Sequence, residues 1–148
     1  MNTRYFYQSN VTLPQHEAII DGFANILSTI ISLPPLIEIC LYDLGKNVYG
    51  GIDMFRINRI GINVTVPLEQ LPKILTHELI HVNQKHTGVL KIKNNGSAYW
   101  HGILITKKIP EDMLYEEYQN LPWELDVTNR QEEVFKKALS LIDIKTDQ

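Results

Sequence analysis

LEQLPKILTHELIHVNQKH, residues 68–86, is the stretch from which the fold of this chain is read. Pro67 precedes it and Gly88 follows it, the usual punctuation of a helix. At about 100° per residue, Leu68, Leu71, Leu75, Leu79 and Val82 fall on one narrow stripe, and His77, Glu78 and His81 fall on the adjoining flank. Thr76, Asn83 and Glu69 point away from both. The pattern predicts a helix packed on a core, with one edge lining a cleft and with Thr76 and Asn83 in solvent. Two histidines four residues apart place both imidazoles on one side of a single turn, where they can hold one metal ion. The intervening glutamate projects at an angle from which it can reach a water molecule beside that ion. Shuffling this composition would give the same spacing in about one chain in a hundred, so chance is a poor account of it.

Upstream, residues 4–12 alternate weakly and are expected to form a short strand. Pro14 opens a helical stretch with apolar residues from Ala18 to Ile31 at helical spacing, closed by Pro34-Pro35. Ile37 to Tyr42 reads as a strand. Tyr49 to Val66 holds one or two more, with Gly50-Gly51 as punctuation and Ile62, Val64 and Val66 in alternation before Pro67. Downstream, Val89 to Ile105 is expected to form a hairpin that turns at Asn94-Asn95-Gly96. An irregular or short helical link after Pro110 leads to a last helix from Pro122 to about Ile142. Helix, strands, helix, hairpin, helix is the order of an α+β domain.

The chain's 148 residues suffice for one domain with its own core, residues 1–148 taken together. A net charge of −3 supplies no global field toward nucleic acid or an anionic membrane. Lys85, Lys91, Lys93, Lys107 and Lys108 cluster locally and read as a solvated surface. Cys40 is the single cysteine and sits in an apolar run, the setting of a buried, inert thiol. No apolar signal-peptide core follows Met1 and nothing reaches membrane-spanning length, so the expectation is a cytoplasmic protein.

Two histidines alone make a weak site, and zinc is the metal that two neutral imidazoles and one carboxylate suit. Four residues are candidates for the third ligand. His86 falls on the apolar stripe, and the extended pattern that uses a third histidine would need glycine and histidine where Gln84 and Thr87 stand. His101, in Tyr99-Trp100-His101-Gly102, is similar to the His-Gly pair of SprT-like DNA-associated proteases but lies in an expected strand. Glu124, in Leu121-Pro122-Trp123-Glu124, occupies the first turn of the last helix and is the preferred candidate. Asp126 faces another direction and is the weaker alternative.

His77 to Gln84 (HELIHVNQ), followed some forty residues later by Tyr118 to Asp126 (YQNLPWELD), resembles the small zincin-like metallopeptidases common in bacteriophage genomes. The resemblance covers roughly residues 35–135. It implies a minimal zincin: a core helix, a short mixed sheet, the active-site helix and a ligand-bearing C-terminal helix. It also implies His77, His81 and Glu124 as zinc ligands and Glu78 as general base. The sequence departs from the family in having Asp126-Val127 where glutamate and alanine often follow the last ligand.

Peptide hydrolysis also calls for a donor to the developing oxyanion. Tyr118, Tyr115, Tyr99 and His101 are available, with Tyr118 first because it lies six residues before Glu124. The strand from Ile60 to Val66 is either the sheet edge on which an extended protein or peptide substrate adds or an ordinary interior strand. The reading is a zinc-dependent peptidase. The competing readings are a metal-loaded binding or inhibitor module without turnover, and a DNA-associated protease of the SprT kind. An intact Glu78 favours the first, since a binding module needs no general base.

Overall fold

The computed structural model of the chain describes residues 3–8, 13–42, 50–52 and 58–146. β1 (Arg4–Gln8), α1 (Pro14–Leu27) and β2 (Leu36–Tyr42) make a β-α-β unit. The two strands run parallel, Arg4 opposite Leu36 and Gln8 opposite Cys40, as a helical crossover allows. β1 covers the first part of the expected strand; residues 9–12 lie outside the described residues. α1 stops at Leu27, short of the expected Pro34-Pro35 boundary. Ser28 Oγ and Thr29 Oγ1 donate to the carbonyls of Asn25 and Ile26, both at 2.7 Å, and this side-chain competition favours turns over further helix.

β3 (Gly50–Ile52) and β4 (Arg59–Asn63) complete a four-stranded sheet in the order β1-β2-β4-β3, with β3 antiparallel on its edge. β4 pairs with β2 on one side and β3 on the other, so it is an interior strand and the substrate-edge alternative for Ile60 to Val66 is excluded. It also ends earlier than Val66. Asn63 Oδ1 accepts from the backbone N–H and the hydroxyl of Thr65, at 3.1 and 2.8 Å, a local turn that breaks the ladder.

After a short 3₁₀ turn at Leu68–Gln70 comes α2 (Leu71–Thr87), ended by Gly88 at φ 83°. A Cβ added at Gly88 would meet only the tip of the Lys91 side chain at 3.6 Å. Gly88→Ala should therefore cost only the left-handed backbone strain, about 1–2 kcal/mol, read from a chemical denaturation midpoint. Leu71, Leu75 and Leu79 are fully buried and Val82 nearly so, as the apolar stripe requires. Thr76 and Asn83, expected in solvent, are 1% and 8% exposed. α2 is the central helix, packed against α1, the sheet strands β3 and β4, and the last helix. A helical wheel orders the faces of a helix but does not count the neighbours that cover them.

The expected hairpin is two hairpins in succession. β5 (Leu90–Ile92), β6 (Ala98–Trp100) and β7 (Ile103–Thr106) form a second, antiparallel sheet. The first turn uses Gly96 at φ 88°, and the second places His101 and Gly102 at φ 50° and 81°, the positive-φ pair of a tight hairpin. α3 (Tyr115–Gln119) leads to α4 (Pro122–Thr146), longer than expected. Cys40 is buried. Lys91, Lys93, Lys107 and Lys108 are exposed as expected, but Lys85 is buried. The result is a mixed helix and strand protein with two small sheets, in keeping with an α+β class.

Candidate metal centre

α2 delivers His77, Glu78 and His81 within little more than one turn. The two imidazoles stand 5.0 Å apart between ring centroids and are nearly perpendicular, at 73°. The fourth side chain comes from the start of α4. Leu121 and Trp123 pack with Leu90 and Ala98 in a small second core, which seats the first turn of α4 on the antiparallel sheet and turns Glu124 toward α2. One Glu124 oxygen, Oε1, is 3.2 Å from His81 Nε2, and the other, Oε2, is 3.9 Å from His77 Nε2. The three ligating atoms lie within 4.8 Å of one another, and among the described residues no other trio of such side chains converges in this way. Ligands about 2.0–2.1 Å from a tetrahedral ion stand roughly 3.3 Å apart; the His81–Glu124 spacing of 3.2 Å matches this, and the His77–Glu124 spacing of 3.9 Å is wider.

The outer ring nitrogens are also held. His77 Nδ1 lies 2.9 Å from Gln131 Oε1, and His81 Nδ1 lies 2.9 Å from Gln84 Oε1. With each Nδ1–H directed at a carboxamide oxygen, the neutral form of each ring has its lone pair on Nε2, toward the centre.

The charges follow from burial and from one another. Burial pushes the Glu78 carboxyl up to about 7, with the nearby Glu124 carboxylate adding to the rise and His81 opposing it. Burial likewise holds the His77 imidazole below its ordinary value, against the contact with Gln131. For His81 burial alone would do the same, but the hydrogen bond and charge of Glu124 outweigh it and the net shift is upward. Glu124 mirrors this: burial would raise it, and the contacts with His81 and the Tyr118 hydroxyl bring it below the usual carboxylate range. Tyr118, on α3, donates to Glu124, and burial together with the two carboxylates keeps its phenol protonated well beyond neutral pH.

The remaining candidates lie elsewhere. His86 is exposed at the end of α2, and His101 is exposed in the β6–β7 turn with its ring against Trp100. Neither joins the trio. Asp126 does not face the centre either; it accepts hydrogen bonds from Gln84 and Arg130. Sequence reasoning missed Gln84 and Gln131. Both left a signal, because Gln84 stands three residues after His81 on one face of α2, and Gln131, whose partner is His77, stands seven after Glu124 on one face of α4.

All four side chains and Tyr118 open into a cleft of about 750 Å³ between the antiparallel sheet, α3 and α4. Leu90, Ile92, Met113 and Trp123 supply apolar wall, and Lys108, Glu111 and Glu116 stand at its border. Among the described residues, no helix is long and apolar enough to cross a membrane. Comparison with known protein families, curated proteins and solved structures finds no match to this chain.

Proposed function

We propose that this protein is a zinc-dependent peptidase built on a minimal zincin-like plan, with His77, His81 and Glu124 holding the ion. The observation that carries this reading is the convergence of two imidazole Nε2 atoms and one carboxylate at the floor of a cleft, with a buried glutamate beside them. The donor set of neutral imidazoles and a hard carboxylate suits zinc. When bound, zinc supplies Lewis-acid activation of the scissile carbonyl and of the attacking water.

The chain's own groups perform the rest. Glu78 takes the proton of the attacking water on a carboxylate oxygen and passes it to the departing amine nitrogen. Its elevated pKa, about 7, suits a group that must both accept and release a proton near neutral pH. The Tyr118 hydroxyl lies at the cleft wall and donates to Glu124; it serves as donor to an oxyanion by turning from that carboxylate. The apolar wall binds side chains of a protein or peptide substrate and excludes water from the reacting groups. We place the activity in the cytoplasm of a bacterial or phage-infected cell. A metal-loaded module without turnover has no use for a general base, and Glu78 is intact and buried beside the trio. A DNA-associated protease would draw on His101, which is exposed in a turn.

Metal analysis of the purified chain tests the centre. About one zinc per chain is expected in the wild type, and loss of that zinc in His81→Ala and in Glu124→Ala. Full zinc retention in Glu124→Ala would overturn the assignment of the third ligand. A peptide library cut by the zinc-loaded protein and spared after chelation completes the test; no cutting by a zinc-loaded wild type would turn the reading to the binding module.

A further inference from the structure

We infer that Gln84 is the positioning residue that fixes the tautomer and aim of His81, acting as one end of a relay that reaches the segment between α1 and β2. The inference rests on the metal-centre reading above and extends it to how that centre is held. Gln84 is fully buried. Its Nε2 donates to the Trp123 carbonyl and to Asp126 Oδ2, both at 2.9 Å, and its Oε1 faces His81 Nδ1 at 2.9 Å. The reversed carboxamide would set its oxygen against a carbonyl and a carboxylate, which can only accept. Only one orientation therefore satisfies the side chain. With Oε1 toward the ring, His81 must carry a proton on Nδ1, so in the neutral ring the lone pair is on Nε2, the nitrogen that faces Glu124.

The acceptor that Gln84 meets is itself braced from further away. Arg130, which can only donate, reaches Asp126 Oδ2 at 3.1 Å and Asn83 Oδ1 at 2.9 Å. Asn83 in turn gives its Nδ2–H to the Ser32 carbonyl at 2.8 Å. Along Ser32, Asn83, Arg130, Asp126, Gln84 and His81 every donor meets an acceptor, the sense reversing at Arg130, which only donates, and at Asp126, which only accepts. It ties α2 to α4 and to the chain just after α1. Because the Trp123 carbonyl immediately precedes Glu124, the same carboxamide that orients one ligand also anchors the residue beside another. His77 differs. It is about one-third exposed on its side chain, and its partner Gln131 is only partly buried, so water can replace that contact.

The test uses the purified full-length chain, with zinc and cobalt(II) each bound in competition with a chelator. Gln84→Met keeps length and apolar volume but neither accepts from His81 nor donates to Trp123 and Asp126. It is expected to weaken both metals by roughly 10- to 100-fold and to shift the cobalt absorption bands, while the circular dichroism of the metal-free chain stays that of the wild type. Gln131→Ala should weaken binding much less. If Gln84→Met does not fold, Asp126→Ala, at a partly exposed position, should shift the affinities and the cobalt bands in the same direction by less. Unchanged affinity and cobalt bands in folded Gln84→Met, or in Asp126→Ala where it stands in, would overturn the inference alone. Wild-type protein that binds neither metal would overturn the metal-centre reading and this inference with it.

Discussion

Glu78→Gln is expected to reduce peptide hydrolysis by roughly 10²- to 10⁴-fold, the share that general-base catalysis contributes, while zinc content and fold stay those of the wild type. Glutamine has nearly the same shape as glutamate and fits the same buried space on α2, so the packing of the helix is preserved. What it lacks is the carboxylate that accepts the water's proton. The loss should therefore fall on kcat, with KM changed far less, since Glu78 is assigned to proton transfer and the cleft wall to substrate binding. A steady-state comparison of the two proteins, each with its zinc measured, checks this. Wild-type rates in a zinc-loaded Glu78→Gln protein would remove Glu78 from the mechanism, and a biological effect that survives the substitution would point to the binding module.

The second large effect is on stability. Leu75→Ala should destabilise the protein by roughly 2–5 kcal/mol, the range for a fully buried leucine whose neighbours close only partly over the cavity. Leu75 has no exposed surface, and α1, the sheet and α4 all border the helix that carries it. Relaxation is least available where packing comes from several directions, so a value in the upper half of the range is expected. Urea denaturation with an unchanged m-value would read the difference directly. A loss under about 1 kcal/mol would mean that the apolar stripe of α2 is not buried as described.

The parts of this molecule legible in its sequence were those governed by local rules. The histidine pair, the glutamate between them and the stripe of Leu71, Leu75 and Leu79 all follow from one helical period. Gly88 and Pro122 mark their helix ends for steric reasons that act on neighbouring residues alone. Glu124 was within reach because Pro122 fixes where its helix starts, and its spatial approach to His81 could be supposed but not read. Legibility ended where burial comes from elements distant in sequence. Thr76, Asn83 and Lys85 look like surface residues on a wheel and are covered because α2 is surrounded. The partners of Asn83 and Gln84 lie on α4 and after α1, and no spacing within α2 announces them. The β6–β7 turn was hidden for another reason: His101-Gly102 is not one of the pairs, such as Asn-Gly, that usually occupy such a turn.

The division of the site between two helices has a consequence for how the protein comes into being. His77, Glu78 and His81 are synthesised well before Glu124, and everything from Gly88 to Leu121 separates the two groups along the chain. Closing that span is a non-local event, slow relative to forming either helix. A ribosome-bound chain that ends within α3 has its histidines but lacks the carboxylate that completes the trio. Completion of the site therefore coincides with the docking of α4, whose Val127, Val134 and Ala138 also complete the main core. On the proposed reading, a nascent chain would gain the complete ligand set only as its last helix settles.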